Sequence, residues 1–371
     1  MPSPVTARPW QPLTLCLGKC IRFALLIAGP ILLTGCYSGY LARAAYEEVR
    51  VLWHREPIAS VIAQKNISED TRAKLEMVLK VREFAANQLG LNVGGAYETI
   101  APIDSGAIVH VVMAAPQDSL TPYTWWFPIV GSVPYRGYFD PADARAEAAD
   151  LERDGLDTMI RPAAAFSSLG FFDDPLLTNL LKLDRVELAG VIIHELFHRT
   201  YFIPSDAMFD ESAATYVGAA GAAAFFADTE GKSSPDAIAA QGVVDSDLKL
   251  SLFLLQQESR LLHIYMSGDP SDEILKRRTA AFVAIQADYA ALAPQLSGLE
   301  RFDLDKQPIN NAVMIDYLLY FHDLNNFAVL GCINHGDARA TIAQIIALAK
   351  AHPEDPFHAI WTATRNAPPA L

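Results

Sequence analysis

The sequence predicts a mostly helical α+β fold that contains one small antiparallel or mixed sheet. Strand-like sequence is concentrated between residues 107 and 139, where the apolar run AIVHVVM precedes an aromatic segment interrupted by proline and glycine. A further short strand is expected from Met159 to Phe166. From Leu176 onward, apolar residues recur at helical spacing. The last four helices are expected near 244–266, 270–293, 310–330 and 338–351.

The composition bounds the domain organisation and the partners. With 371 residues, 51% of them hydrophobic, the chain can bury a full core in one large domain or two. The formal net charge is −14, and the sequence has no run rich in lysine or arginine that could bind along a phosphate backbone. We therefore expect no nucleic acid partner.

The N-terminus has the form of a bacterial targeting segment. Basic residues precede the apolar run Phe23 to Leu33, which is too short to cross a bilayer comfortably. The run ends in Leu33-Thr34-Gly35-Cys36, which resembles the bacterial lipobox. Residues 1–35 are therefore expected to be a lipoprotein signal peptide. The alternative is an uncleaved membrane anchor, which Gly29-Pro30 within the run disfavours.

Cleavage before Cys36 would make this cysteine the lipidated first residue. Cys16 and Cys20 would leave with the signal peptide, so Cys332 would remain as the ordinary thiol, with no disulfide or cysteine metal site. Several acyl chains give stable anchoring to a membrane. Tyr37 follows the lipidated position, and without Asp there the bacterial sorting rule favours the outer membrane. We expect a lipid-anchored envelope protein that faces the periplasm.

Three helices before the histidine segment have recognisable boundaries. Residues 38–57 have the apolar spacing of a helix. Ser68 is expected to cap a second helix over residues 69–89. Asp140-Pro141 combines a capping residue with proline in the first helical turn, and Asp154-Gly155 is expected to end that helix.

The stretch VIIHELFHR carries two histidines at the spacing of a metal-binding helix. Residues four apart lie on one face of an α-helix, so His194 and His198 would direct both imidazole rings at one point. Glu195 could accept a proton there without being a ligand. Asp184 and Glu187 form a capping pair that predicts the start of this helix. A core helix with two satisfied histidines is the alternative interpretation.

A catalytic zinc ion takes three protein ligands, so a third must come from nearby in space. Pro204 stands where a metzincin would have its third histidine, which excludes that class. Glu211 lies on a second predicted helix and is the expected third ligand, with Asp210 as the hydrogen-bond partner of a ligand histidine. Asp206 and Asp210 are rival third ligands. One zinc ion is expected from these ligand types, although other divalent ions also bind such sites.

Six segments are together more specific than the histidine motif: RVLWHREPIASVI, TWWFPIVGSVPYRGYFD, SLGFFDDP, ELAGVIIHELFHRTYF, FDESAATYVG and NNAVMIDYLLYFHDLNNF. On these segments, the sequence from Tyr40 to Lys350 resembles a bacterial family described as putative aminopeptidases. The family consists of zinc metallopeptidases of gluzincin type that often begin as lipoproteins. Two positions depart from its pattern, with Asp210 where Asn is usual and Ser132 where a small residue or cysteine is expected.

The resemblance implies a zincin-like metallopeptidase fold, with the HExxH active-site helix beneath a small sheet whose edge strand can pair with an extended peptide. Carried over by motif, it implies that His194, His198 and Glu211 bind zinc and that Glu195 is the general base. The metallopeptidase domain would then span residues 36–371. Its parts would be a helical region at 36–100, the sheet and zinc site at 101–230, and a helical region at 231–371.

The implied reaction is hydrolysis of a peptide substrate, in which Glu195 moves the proton from the attacking water to the leaving amine. A developing oxyanion needs a further donor, and Tyr320 and Tyr317 are the candidates, with His322 third. For each tyrosine, a packing role in the core is the alternative.

Three residues are candidates for lining the substrate cleft. Gly170 could let a substrate backbone approach closely, and Tyr135 and Arg136 could contact the substrate. For Arg136 an ordinary structural ion pair is the favoured interpretation.

Two alternatives to an aminopeptidase stay open at this stage. One is a zinc endopeptidase that acts on envelope proteins. The other is a non-enzymatic lipoprotein with a structural zinc ion, which the presence of Glu195 disfavours because a structural site needs no general base.

Overall fold

The computed structural model describes residues 51–103, 109–163, 173–298 and 304–365. The predicted signal peptide, Cys36, most of the predicted helix at 38–57, and Gly170 lie outside these ranges. The chain divides into two units, Met1–Trp53 and His54–Leu371, and every element below belongs to the second. Among the described helices, none is long and apolar enough to cross a membrane.

The described part of the chain is mostly helical with short strands. The strands are β1 (Glu56–Pro57), β2 (Thr99–Ala101), β3 (Val109–Pro116), β4 (Trp125–Phe127), β5 (Gly131–Val133), β6 (Tyr135–Tyr138), β7 (Leu156–Ala163) and β8 (Leu176–Leu177). The α-helices are α1 (Ile58–Ile62), α2 (Glu69–Phe84), α3 (Pro141–Arg153), α4 (Arg185–Thr200), α5 (Ala207–Thr229), α6 (Pro235–Tyr265), α7 (Ser271–Leu292), α8 (Asn311–Phe321), α9 (Leu324–Ile333), α10 (Ala338–Ala351) and α11 (Pro356–Thr364). The expected α+β class, mostly helical with little sheet, is confirmed.

The strands form three small sheets. The central one is antiparallel, in the order β6-β3-β7, while β1-β2-β8 is mixed and β4-β5 is a two-stranded hairpin. Because side chains alternate along a strand, β3 buries one set on each face. Val112 and Ala114 pack towards α3, whereas Val111, Met113 and Ala115 pack towards α8. The central sheet is therefore covered by α3 on one face and α8 on the other.

Local capping explains where several helices begin. The Ser68 side chain accepts a hydrogen bond from the backbone N–H of Thr71 at the start of α2, as predicted, and a π-helical turn continues α2 to Leu89. Asp140 caps α3 ahead of Pro141, and Asp184 caps α4. These predicted boundaries are confirmed. A cap depends on residues that are close in sequence, so the sequence alone can predict it.

The predicted helix boundaries in the C-terminal half differ in three places. Helix α6 begins at Pro235 after the cap Ser234, earlier than the expected residue 244. The single helix expected at 310–330 is two helices, α8 and α9, separated at His322 and Asp323, and Asp323 has the left-handed φ of 57°. Helix α11 was not predicted, although Asp355 caps it.

The break between α8 and α9 is held by serines from other helices. The hydroxyl of Ser212 accepts the backbone N–H of His322, and that of Ser251 accepts the N–H of Leu324, each at 3.1 Å. These side chains replace partners that a continuous helix would supply. Tertiary contacts therefore override the apolar periodicity that favours one long helix.

A buried polar network fixes the start of α8 against the sheet. Asp157 on β7 accepts two hydrogen bonds from Arg278 of α7, at 2.8 and 3.0 Å, and one from the backbone N–H of Asn311 at 2.9 Å. Asn311 in turn donates to the backbone oxygens of Pro116 and Ser119. The position of α8 relative to β7 is thus set by paired polar groups.

Candidate metal centre

Helices α4 and α5 bring His194, His198 and Glu211 together. One carboxylate oxygen of Glu211, Oε2, lies 3.3 Å from Nε2 of His194 and 3.4 Å from Nε2 of His198. The two Nε2 atoms lie 3.1 Å apart. Among the described residues, these three form the group whose ligand atoms could hold a metal ion.

The spacing of the three donor atoms fits a tetrahedral ion. Two ligands that each lie about 2.0 Å from a tetrahedral zinc ion are about 3.3 Å apart. The observed separations are 3.1, 3.3 and 3.4 Å. Two imidazole nitrogens and one carboxylate oxygen are also a donor set that zinc takes in hydrolytic sites. Asp206 and Asp210, the rival third ligands, are not part of this group.

A glycine allows the two ligand helices to approach each other. A Cβ atom on Gly218 of α5 would lie 2.8 Å from the backbone oxygen of Gly190 and 3.1 Å from Cβ of His194. Any larger residue at this position would collide with α4 beside its first histidine. The run of small residues around Gly218 therefore has a packing role, which brings Glu211 within reach of the histidines.

Burial and charge act in opposite directions on the cluster. Burial raises the pKa of Glu211, but the charges and hydrogen bonds of His198 and His194 outweigh it and hold that pKa well below its usual value. Burial lowers the pKa of His198, but Glu211 raises it to about 9. Glu211 is therefore held in its charged form beside the two rings.

Glu195 lies on the same helix between the two histidines and is half-buried. Burial raises the pKa of its carboxyl group, the two histidines lower it, and the negative charges of Glu211 and Asp174 raise it again. The net effect is an increase in pKa, which makes this carboxylate a better proton acceptor than an exposed glutamate.

Asp210 has a different contact from the one predicted. Its Oδ1 accepts a hydrogen bond from the backbone N–H of Ile203 at 2.8 Å, and burial raises its pKa to about 8. Within the described residues, Nδ1 of His198 has no hydrogen-bond partner. Asp210 therefore secures the turn between α4 and α5, and Asp206 caps α5 through Phe209.

The two candidates from β6 lie on opposite faces of the central sheet. The hydroxyl of Tyr135 donates to Oε1 of Glu211 at 3.4 Å, so this tyrosine contacts a candidate ligand. Arg136 lies 3.7 Å from Glu147 of α3 and covers the ring of Tyr138. The structure supports the structural ion pair for Arg136.

Of the three candidate oxyanion donors, Tyr320 contacts the cluster. Its ring stacks on that of His194, with centroids 6.4 Å apart and an interplanar angle of 26°. Tyr317 is buried, with 5% of its surface exposed. The imidazole of His322 instead contacts Glu258, at 3.6 Å, and Phe357.

Sequence reasoning missed two charged residues beside Tyr320. Arg161 of β7 donates to Asp316 at 2.8 Å and to the hydroxyl oxygen of Tyr320 at 2.7 Å. A signal was present, because alternation along β7 puts Arg161 on the same face as Met159, towards the core. Asp316 is likewise an acid within an otherwise apolar helix. A charge at a core position predicts a buried partner.

A third missed residue, Tyr97, lies near Glu195. It is 4% exposed, and burial together with the negative charge of Glu195 and Asp174 raises its pKa well above the usual value. Its φ of 59° lies in the left-handed region that favours glycine. No sequence pattern predicts such a conformation for a tyrosine.

A mostly helical α+β fold that gathers two histidines and a glutamate on neighbouring helices defines a candidate metalloprotein. Residues 39–359 match the family described as "Putative aminopeptidase", and the chain belongs to that family. No curated protein and no solved structure matches the chain. The family description favours a peptidase.

Proposed function

We propose that this protein is a zinc-dependent aminopeptidase in which His194, His198 and Glu211 hold one zinc ion. The observation that carries the proposal is the separation of their donor atoms by 3.1–3.4 Å, which suits a tetrahedral ion. When bound, zinc supplies a Lewis acid that lowers the pKa of water and polarises a carbonyl group.

Glu195 is the general base of the proposed reaction. It takes a proton from the attacking water and passes it to the nitrogen of the leaving amine, so one carboxyl group serves both steps. The position of Glu195 beside both histidines supports this assignment.

Tyr320 is the proposed donor to the negative charge that develops on the carbonyl oxygen. Its ring packs against His194, and a neutral hydroxyl beside the reacting group can donate a hydrogen bond without a protonation change. Tyr135 holds the second oxygen of Glu211 and leaves Oε2 directed at the histidines. The two tyrosines therefore have separate roles.

The family description favours cleavage at the amino terminus of the substrate. Such an enzyme must bind a positively charged α-amino group. Glu195 and the buried Asp174 provide negative charge close to the cluster, which suits that group. An endopeptidase has no such requirement.

The test compares wild type with Glu195→Gln and Glu211→Gln. We expect the purified wild type to contain one zinc ion and to hydrolyse aminoacyl p-nitroanilides but not internally quenched peptides with a blocked amino terminus. Glu195→Gln should retain zinc and lose activity by about a hundredfold or more. Glu211→Gln should lose both zinc and activity.

Two outcomes would contradict the proposal. Unchanged activity in Glu195→Gln would exclude this residue as the base. Cleavage of blocked peptides alone would replace the aminopeptidase with an endopeptidase, while leaving the metal site in place.

A further inference from the structure

We propose that Arg161 is the positioning residue of the site: it holds the hydroxyl oxygen of Tyr320 so that the hydroxyl proton points at the substrate. This inference rests on the proposed function, because it explains how Tyr320 is prepared to donate. It assigns a role to a partly buried ion pair, Arg161 and Asp316, that zinc binding and proton transfer do not use.

The contacts of Arg161 define the arrangement. Its Nη2 donates to the hydroxyl oxygen of Tyr320 at 2.7 Å, and its Nε donates to Oδ1 of Asp316 at 2.8 Å. The guanidinium group also lies 5.2 Å from the centre of the Tyr320 ring. One planar cation thus contacts two side chains that are one turn apart on α8.

The direction of the hydroxyl proton follows from the donor inventory. A guanidinium group has donors only, whereas a phenol has one donor and two acceptor lone pairs. In its bond with Arg161, Tyr320 must therefore be the acceptor, which leaves its own proton for another partner. Among the described residues, Tyr320 makes no second hydrogen bond through its hydroxyl. Its ring lies against His194, so a substrate oxygen at the cluster is a suitable acceptor.

Asp316 keeps Arg161 in place. The side chain of Asp316 is 9% exposed and that of Arg161 is 26% exposed, so neither is freely hydrated. The planar fork of arginine can serve an acid and a phenol at fixed angles, which the single ammonium group of lysine cannot do. The Asp157 network, in turn, anchors both β7 and the start of α8. The distance from Arg161 to Tyr320 is therefore built into the fold.

The charge of Arg161 also strengthens Tyr320 as a donor. The Nη2 atom of Arg161 lies 2.7 Å from the phenol oxygen of Tyr320, so its positive charge acts directly on the O–H bond. A cation at the phenol oxygen draws electron density from the O–H bond, so the proton makes a stronger hydrogen bond to a negative acceptor. Arg161 thereby orients and polarises the group that touches the substrate.

The experiment is a double-mutant cycle in the zinc-loaded protein. Arg161→Met alone would leave Asp316 as an unpaired buried acid, so the test variant is Arg161→Met with Asp316→Asn, which removes both charges. We expect Tyr320→Phe to lower kcat about a hundredfold. The double substitution should lower kcat about tenfold or more with little change in KM. In the Tyr320→Phe background, the same double substitution should lower kcat by less than about twofold. The reason is that the ion pair acts on kcat through the Tyr320 hydroxyl, which this background already lacks.

Arg185→Met is the matched control. Arg185 also covers an aromatic ring, that of Phe226, and also pairs with acids, but it lies at the first residue of α4, away from the cluster. Its kcat should equal that of wild type. Zinc content and the melting temperature of each variant exclude loss of metal or of folded protein as the cause.

A second readout needs neither metal nor activity. In protein labelled with 3-fluorotyrosine, the ¹⁹F resonance that disappears in Tyr320→Phe belongs to Tyr320. We expect this resonance to shift in the Arg161→Met/Asp316→Asn variant and to stay unchanged in Arg185→Met. An unmoved resonance, or kinetic effects that multiply fully across the cycle, would overturn the inference. If the wild type were inactive but the resonance shifted in the Arg161→Met/Asp316→Asn variant, the proposed function would be wrong while the contact between Arg161 and Tyr320 would stand.

Discussion

The hydroxyl group of Tyr135 lies 3.4 Å from Oε1 of Glu211, the residue whose other oxygen, Oε2, lies 3.3 Å from Nε2 of His194. Tyr135 of β6 thereby holds Glu211 of α5, whose Oε2 atom lies within 3.4 Å of both histidine rings. Hydrogen bonds of this kind orient metal ligands and raise their affinity for the ion.

We therefore expect Tyr135→Phe to weaken zinc binding by about tenfold. The phenylalanine ring preserves the packing of β6, so the free energy of unfolding of the metal-free protein should hardly change. Competition with a chromophoric chelator measures the affinity. Tyr138→Phe, on the same strand but facing α3, is the control and should bind zinc like the wild type. Equal affinities for Tyr135→Phe and wild type would count against a ligand-orienting role.

The close contact of α4 and α5 at Gly218 predicts a large effect from one added methyl group. In Gly218→Ala, the new Cβ would meet the Gly190 oxygen at 2.8 Å and must push the helices apart. We expect the free energy of unfolding to fall by about 1–3 kcal/mol. Zinc affinity should fall with it, because His194 lies at the contact.

Gly242→Ala is the matched control for this prediction, because it is also a glycine within a helix. Its Cβ would meet nothing closer than 3.8 Å, an ordinary contact with Ser297. This substitution should raise the free energy of unfolding by about 0.4–1 kcal/mol, since alanine restricts the unfolded chain. Denaturant unfolding of both variants measures the difference, and equal stabilities would refute the packing argument.

The convergence of His194 and His198 could be predicted because it depends on local spacing. His194 and His198 are four residues apart on one helix, and Asp184 marks where that helix begins, so sequence alone predicts two converging rings. Glu211 needed one more step, a second helix packed on the first, which small residues around Gly218 make possible.

Other features could not be predicted because their partners are distant in sequence. Arg161 and Asp316 are 155 residues apart, and only the docking of α8 on β7 makes them a pair. The break at Asp323 likewise depends on Ser212 and Ser251, which lie on other helices. An apolar pattern continues across the break, so periodicity alone predicts one helix.

The sequence predicts lipid anchoring through Cys36, and substitution of this cysteine tests the prediction directly. Cys36→Ser removes the acceptor thiol, so the protein should no longer incorporate labelled palmitate and should leave the membrane fraction for the soluble fraction. Cys332→Ser is the control, because Cys332 belongs to the folded part as a free cysteine. Its lipid labelling and fractionation should match those of the wild type. Labelling that persists in Cys36→Ser would exclude this cysteine as the lipidation site.

Among the arginine substitutions, we expect the largest loss of stability when the buried ion pair between Arg278 and Asp157 is broken. Both side chains are almost fully buried, at 11% and 8% exposed, and two hydrogen bonds join them. Arg278→Met would leave Asp157 charged without its cation, which costs about 3–5 kcal/mol in free energy of unfolding.

Arg260→Met removes an arginine from an ion pair with Asp288 that is 35% and 47% exposed. Water already screens that pair, so its loss should cost only about 0–1 kcal/mol. Urea unfolding at neutral pH distinguishes the two arginines.

Adding Asp157→Asn to Arg278→Met should recover part of the loss, because the unpaired charge is then gone and the amide oxygen can still accept a hydrogen bond from the backbone N–H of Asn311. If the double variant were no more stable than Arg278→Met alone, the loss would come from packing around the guanidinium group instead of from the buried carboxylate.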